Sequence, residues 1–203
     1  MIRGLYFNKY KHHKLLSIEE IASACHLSSH KVRQLIAANI LPSAADDKAM
    51  VDATDLLWFL VRNNMVIPSS LLPPKTGKIL FIGAKDAEIR NKELLIDHIC
   101  RTFAESCSLV LTESCLAGPP ADLTILTFAP HVAVFFLQNC DRRTSTTLDL
   151  LDQTPSVRTI VFVDNAMKMA IDNGLLNIPA DLVISNSMPV EKLNGQLRAL
   201  LTN

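Results

Sequence analysis

The sequence predicts an α/β protein: a small helical domain followed by a flavodoxin-like, doubly wound sheet of five parallel strands. Residues 17–41 form two short amphipathic helices joined by a tight turn, which is a helix-turn-helix pattern. Residues 65–75 hold three of the ten prolines. Beyond them, short apolar segments alternate with helical ones, as in a parallel sheet covered on both faces. The predicted domains are residues 1–65 and 77–203, with a proline-rich linker at 66–76.

The helices of the first domain begin at recognisable capping residues. Ser17 and Glu20 have the spacing of a capping box, and apolar residues follow at helical intervals. Ser28 or Ser29 can cap the second helix. A third helix is predicted over residues 52–64, where acidic residues in the first turn favour the helix N-terminus.

The exposed start of the second helix is the candidate DNA-binding surface, because a recognition helix contacts bases through its N-terminal residues. The candidate residues are Ser29, His30, Lys31, Arg33 and Gln34. A plain helical hairpin with a solvated polar face has the same local pattern. Residues 1–16 contain no acid, and this arm either lies on phosphates or is a frayed terminus. Its basic residues are Arg3, Lys9, Lys11 and Lys14.

The second domain has five candidate strands, at residues 78–82, 108–112, 123–128, 159–163 and 182–185. Helices are predicted at residues 88–105, 146–153, 166–173 and 190–201. Residues 131–140 are apolar enough for a strand but stand where a loop and a helix are expected. We interpret them as the irregular start of a helix.

Composition excludes several classes of protein. The chain has 20 basic and 20 acidic residues, which argues against a surface coated in basic charge for nucleic acid. The number of cysteines, five, is odd, and no two of them have C-x-x-C spacing. This usage is expected for a reduced, cytoplasmic protein. No segment is typical of a signal peptide or a membrane span. Without a G-x-G-x-x-G, a Walker loop or a Cys/His set with metal spacing, the sequence predicts no enzyme, cofactor or metal site.

Two stretches resemble bacterial families. Residues 1–65 resemble the excisionase/MerR-type winged helix-turn-helix domain, in the two helices and in a third helix followed by NNMVIP. Residues 77–203 resemble the receiver domain of two-component response regulators, in the segments KILFI, ADLTILT, TIVFVD and ADLVISNSMPVEKL. Together these resemblances imply a DNA-binding transcription regulator.

The receiver resemblance fails at the positions that carry phosphorylation chemistry. In that family an acidic pair holds Mg²⁺, an aspartate ends the third strand, a Ser/Thr ends the fourth and a Lys follows the fifth. The matching positions here are Gly83, Ala84, Thr127, Asp164 and Asn186. If the alignment with the family is shifted by one or two positions, Asp86 replaces one residue of the acidic pair. No such shift places an aspartate at Thr127. Because phosphoryl transfer needs a carboxylate nucleophile and a divalent ion, the departures predict a pseudo-receiver that is not phosphorylated.

The first domain departs from its family as well. The relatives carry an arginine-rich wing after the second helix, whereas residues 44–48 read AADDK here. An acidic wing beside a phosphate backbone lowers affinity. DNA binding is then weak, dependent on dimerisation, or replaced by protein binding.

The last helix is a candidate dimer or partner surface. Three leucines form one apolar stripe on it, and two methionines in the preceding helix extend the apolar surface. These residues are Leu193, Leu197 and Leu200, with Met167 and Met169. Receiver-like domains pair through this face, which implies a homodimer. The alternative is that the stripe is buried against the sheet of its own domain.

Three functions remain open at this level. The first is a DNA-binding regulator whose pseudo-receiver serves dimerisation or partner docking. The second is an adaptor that has kept both folds but binds only proteins. The third is a small-ligand binder that uses the flavodoxin-like domain.

Overall fold

The computed structural model describes residues 4–7, 14–44 and 49–202. The first part contains β1 (Gly4–Phe7), β2 (Leu15–Ser17), α1 (Ile18–Ala24), α2 (Ser29–Ala37), β3 (Met50–Asp52) and α3 (Ala53–Arg62). The second part contains β4 (Thr76–Gly83), α4 (Asp86–Arg90), α5 (Glu93–Ala104), β5 (Leu109–Leu116), α6 (Pro119–Phe128), β6 (Val132–Phe136), α7 (Arg142–Asp152), β7 (Arg158–Val163), α8 (Asn165–Asp172), β8 (Leu182–Ser185) and α9 (Val190–Thr202).

The large sheet has the flavodoxin-like strand order. Five of its strands are mutually parallel and lie in the order β5-β4-β6-β7-β8. From β4, inside the sheet, the chain therefore moves to one side at β5 and then crosses to the other side, as in doubly wound proteins. This arrangement confirms the α/β class and the five parallel strands predicted from the sequence.

Both faces of the sheet are covered by helices. On one face, Ile99 of α5 and Leu197 of α9 pack against Phe81 and its neighbours. On the other face, Ile125 of α6 and Leu148 of α7 pack against a second apolar cluster. Burial on both faces explains why the strands are continuous apolar runs rather than alternating ones.

The third parallel strand differs from the prediction. Residues 123–128 belong to helix α6, and the strand is β6, within the segment interpreted above as the start of a helix. Pro119 and Pro120 occupy the first turn of α6, where a missing N–H is tolerated. The parallel strands β5 and β6 also need a crossover between them, and α6 supplies it.

The N-terminal segment contributes a sixth strand. The sequence predicts residues 1–65 as one domain with a short strand or helix near Leu5, but Gly4–Phe7 pairs antiparallel with β5 of the large sheet, from Gly4↔Thr112 to Phe7↔Leu109. A Cβ atom on Gly4 would lie 2.7 Å from Oγ1 of Thr112, so a larger residue at Gly4 would force the Thr112 side chain to move. The chain thus enters the large sheet before it forms the helices.

The helical part has its own core and a two-stranded sheet, so it is not all-helical as predicted. The capping box is present: the Glu20 N–H donates to Ser17 Oγ at 3.2 Å, and the Ser17 N–H donates to Glu20 Oε2 at 2.8 Å. Strand β2 pairs antiparallel with β3. Ile21, Val32 and Leu60 from the three helices are buried together in one cluster.

A separate apolar cluster joins the helical part to the large sheet. Leu57 and Val61 of α3 pack with Leu5 of β1 and with Leu109 and Leu111 of β5. All five side chains are buried. The helical part is therefore packed on the β1 edge of the sheet, in addition to its covalent connections.

Candidate functional site

The predicted DNA-binding residues lie together at the exposed start of α2. The cap is Ser28, whose Oγ accepts the Lys31 N–H at 3.2 Å. Val32 points into the core with none of its surface exposed. Because Val32 faces inward, the neighbouring polar residues of α2 face the solvent. Four of the five predicted residues are exposed, and Ser29 is half-buried. The exposed residues are His30, Lys31, Arg33 and Gln34.

Three of the exposed side chains on this surface contact neighbouring side chains of α1 or α2. The Arg33 guanidinium lies 3.4 Å from Glu19 Oε1, and both side chains are more than half exposed. An ion pair this exposed contributes little, so a phosphate can compete for Arg33. His30 Nε2 lies 3.0 Å from Gln34 Nε2, on the same side of the helix.

The turn between α1 and α2 is a left-handed helix stop. His26 has φ 52°, and the Leu27 N–H donates to the Ala22 carbonyl at 2.9 Å. This is the Schellman pattern, which commonly has glycine at the position of His26. The stop reverses the chain within a few residues and brings the start of α2 close to α1.

The other predicted nucleic-acid elements fall largely outside the described residues. Arg3, Lys9 and Lys11 of the basic arm lie there, as do residues 45–48 of the acidic wing. Lys14 is described and exposed, and its carbonyl accepts the Ala53 N–H at 2.9 Å.

The carboxyl edge of the parallel strands is the second candidate site, since ligands of doubly wound sheets bind there. Gly83 ends β4, and a Cβ atom on it would lie 2.9 Å from Cγ1 of the buried Ile89. An aspartate at Gly83 therefore requires Ile89 to move. Ala84 follows and is half-buried. Neither position of the family's acidic pair carries a carboxylate.

The prediction that Thr127 ends the third strand is wrong. Thr127 lies on α6, and its hydroxyl donates to the Leu123 carbonyl at 2.9 Å. The third strand ends at Phe136, and the next residue, Leu137, donates its N–H to the Phe162 carbonyl at 2.8 Å. The end of the third strand, where the family's phosphoacceptor would lie, thus carries the apolar residues Phe136 and Leu137. Neither side chain can act as a nucleophile.

Two carboxylates near this edge serve as helix caps. Asp164 Oδ1 accepts the Met167 N–H at 2.7 Å at the start of α8. Asp141 Oδ1 accepts the Thr144 N–H at 2.9 Å at the start of α7. The backbone donor at Thr144 holds the pKa of Asp141 below its ordinary value. Both carboxylates accept backbone N–H groups at the starts of their helices, and these contacts stabilise the helix starts.

A cluster of polar side chains surrounds the predicted Asn186 position. Lys92, from the turn before α5, places its Nζ 3.2 Å from Asn186 Oδ1. The hydroxyls of Ser185 and Ser187 both donate to Asn165 Oδ1, the latter at 2.7 Å. Sequence reasoning missed Lys92 and Asn165, and no motif marks them, because they lie far apart in the chain, at the starts of α5 and α8.

The predicted dimer face is mostly internal. Leu193 and Leu197 are buried in the core cluster on one face of the sheet, and Leu200 packs against the same cluster. Their assignment to an interface is wrong, because the sheet beneath α9 needs this stripe as its cover. Met167 is half-buried against the opposite face, whereas Met169 is 65% exposed. Of these five residues Met169 alone is exposed, while Met167 and Leu200 are half-buried.

No helix within residues 14–44 or 49–202 is both long and apolar enough for a membrane crossing. Among the same residues, no group of three or more His, Cys, Asp or Glu side chains is arranged to hold a metal ion.

The strand order defines a flavodoxin-like α/β fold, and several solved structures are similar to this chain. The chain is similar to the signal receiver domain of a protein described as a Luxo repressor from Vibrio parahaemolyticus, with 14% identity and a TM-score of 0.44. That similarity covers 63% of this chain and 91% of the other. A response regulator receiver domain from Methanospirillum hungatei has 15% identity and a TM-score of 0.42, covering 63% and 94%.

A third similar structure is a protein described as a pilus assembly protein from Burkholderia thailandensis. It has 9% identity and a TM-score of 0.46, and the match covers 63% of this chain and 99% of that one. No family model matches the sequence, and no match was found among curated proteins.

Proposed function

We propose that the protein is a DNA-binding regulator in which α1 and α2 form a helix-turn-helix. The observation that carries the proposal is the exposed start of α2, where Lys31 and Arg33 stand beside His30 and Gln34. These are the residue types that contact phosphates and base edges, at the helix end that recognition helices present to DNA. The buried Val32 keeps this face turned outward.

The flavodoxin-like part acts in this proposal as a docking or dimerisation module that is not phosphorylated. The positions that hold the acidic pair and the phosphoacceptor in receivers carry Gly83, Ala84, Phe136 and Leu137 here. Regulation then comes from a protein partner or a second copy of the chain, in the cytoplasm. A dimer would place two recognition helices on two half-sites.

A protein-binding adaptor is the second candidate. The pairing of Glu19 with Arg33 favours it, because it sets an acid beside one of the two basic residues on the proposed DNA surface. The sequence also has two acids, Asp46 and Asp47, in the predicted wing. Both features lower affinity for a polyanion.

Salt-dependent DNA binding tests the proposal. We expect the protein to enrich a duplex from a random-sequence pool, with an affinity that falls as salt rises. Lys31→Ala should weaken binding and reduce the slope of log affinity against log salt by about one, because one phosphate contact is lost. Glu19→Gln should act in the opposite direction and strengthen binding, since it releases Arg33.

Lys192→Ala is the matched control, because Lys192 is exposed on α9, away from the helical part. It should leave affinity and slope unchanged in an anisotropy titration. A double variant of Lys31 and Arg33 that keeps the parental slope would show that α2 is not the DNA contact. If the parent enriches no duplex, the adaptor is favoured instead.

The phosphorylation part of the proposal has its own test. We expect no added phosphoryl group after incubation with acetyl phosphate and Mg²⁺, because Leu137 offers no nucleophile and Asp141 and Asp164 are held as caps. Intact mass spectrometry measures the outcome, with an ordinary receiver domain as the positive control. A base-labile adduct of phosphoryl mass would contradict the proposal, and peptide mapping would locate it.

A further inference from the structure

A cavity of about 440 Å³ lies where the helical part meets the large sheet. Its lining comes from β1, α3, β4, α4, α5 and the middle of β5. We call it the junction cavity. The residues used below are Tyr6, Trp58, Phe81, Glu93, Ile96 and Asp97. Its volume falls within the range of small-molecule sites, roughly 300–1,000 Å³.

Three aromatic side chains form part of its wall. Trp58 comes from α3 of the helical part, Tyr6 from β1 and Phe81 from β4. Burial raises the pKa of Tyr6 to about 12, so its hydroxyl stays neutral at physiological pH. The aromatic part of the wall is therefore uncharged and includes side chains from both parts of the protein.

The charged residues that line the junction cavity are both acidic. Glu93 and Asp97 stand one helical turn apart on α5, and no Lys, Arg or His of the described residues lines the cavity. Outside the lining, Arg101 pairs with Asp97 at 2.7 Å and is three-quarters exposed. The Arg62 guanidinium lies 5.7 Å from the centre of the Trp58 ring. The Trp58 ring thus already attracts a cation, and Glu93 adds negative charge to the lining.

We propose that the junction cavity binds a small organic cation of the quaternary ammonium or alkylamine class. The cation would lie against the aromatic wall, with Glu93 and Asp97 as its counter-charges, as in the aromatic cages that recognise such groups. A bound cation would contact α3 and α5 together, so it would couple the helical part to the sheet. This inference goes beyond the proposed function and does not depend on DNA binding.

Trp58 provides the measurement, because it is the only tryptophan in the chain. Choline chloride is the probe, titrated against full-length protein with sodium chloride at matched concentration as the reference. We expect a saturable change in Trp58 emission with choline. The neutral alcohol in which carbon replaces the nitrogen of choline should bind about tenfold more weakly, because it lacks the cation–π and charge attraction.

Variants of the two acids complete the test. Glu93→Gln and Asp97→Asn should each weaken choline binding severalfold, and together they should remove it. Glu191→Gln on α9 is the matched control and should bind choline as the parent does. Circular dichroism and thermal unfolding check that every variant is folded.

Three results would overturn the proposal. They are an absence of saturable change with choline, equal binding of choline and its neutral analogue, and parental binding by the folded double variant. None of these results bears on the DNA titration above, so the two proposals fail independently.

Discussion

Replacing Leu57 with alanine is expected to lower the free energy of unfolding by about 2–5 kcal/mol. Leu57 is 2% exposed and packs with Leu5, Leu109 and Leu111, at the contact between α3 and the large sheet. Removal of its side chain leaves a cavity in a small cluster with few neighbours to fill it. The loss should appear as a lower midpoint in urea unfolding followed by circular dichroism.

Leu94→Ala is the matched control for this prediction. Leu94 lies on α5 and is 89% exposed, so the same truncation should change stability by less than about 0.5 kcal/mol. If Leu57→Ala unfolds at the parental midpoint, the contact between α3 and the sheet does not contribute to stability. The helical part would then be joined to the sheet only by its chain connections.

Leu197→Ala should have an effect of similar size, again about 2–5 kcal/mol. Leu197 has none of its surface exposed and lies in the core between α9 and the sheet. The variant should therefore be less stable in urea without any change in association. Sedimentation measures association, and denaturant unfolding measures stability, on the same samples.

The contrast to Leu197 is Met169→Glu. Met169 is 65% exposed on α8, so a charge there should leave stability nearly unchanged. If the protein is a dimer that uses the methionine surface, Met169→Glu should lower the sedimenting mass. A Leu197→Ala variant with parental stability and a lower mass would instead show that α9 is the interface.

Local signals were sufficient for the helices of the first part. The capping box of Ser17 and Glu20 and the cap at Asp52 involve atoms only two or three residues apart. Such contacts form with little help from distant parts of the chain, so spacing along the sequence predicts them. The outward face at the start of α2 follows in the same way from the single buried Val32.

The third strand could not be placed by composition. Leu123 and Leu126 on α6 are 64% and 74% exposed, yet they make the segment look like a buried strand. The neighbouring β6 is buried along its whole length and equally apolar. The requirement for a crossover between parallel strands separates the two, and that requirement comes from the sheet. The misplaced strand also misplaced the phosphoacceptor position at Thr127.

By itself the sequence determined the α/β class, most strands and the exposed basic start of α2, because these depend on neighbours along the chain. Only the tertiary structure decided that Gly4–Phe7 joins the large sheet and that Leu193 and Leu197 are internal. It alone brought Trp58 and Glu93 to one cavity. Their neighbours lie far away in the chain, and packing energy, which local periodicity does not encode, selects such contacts.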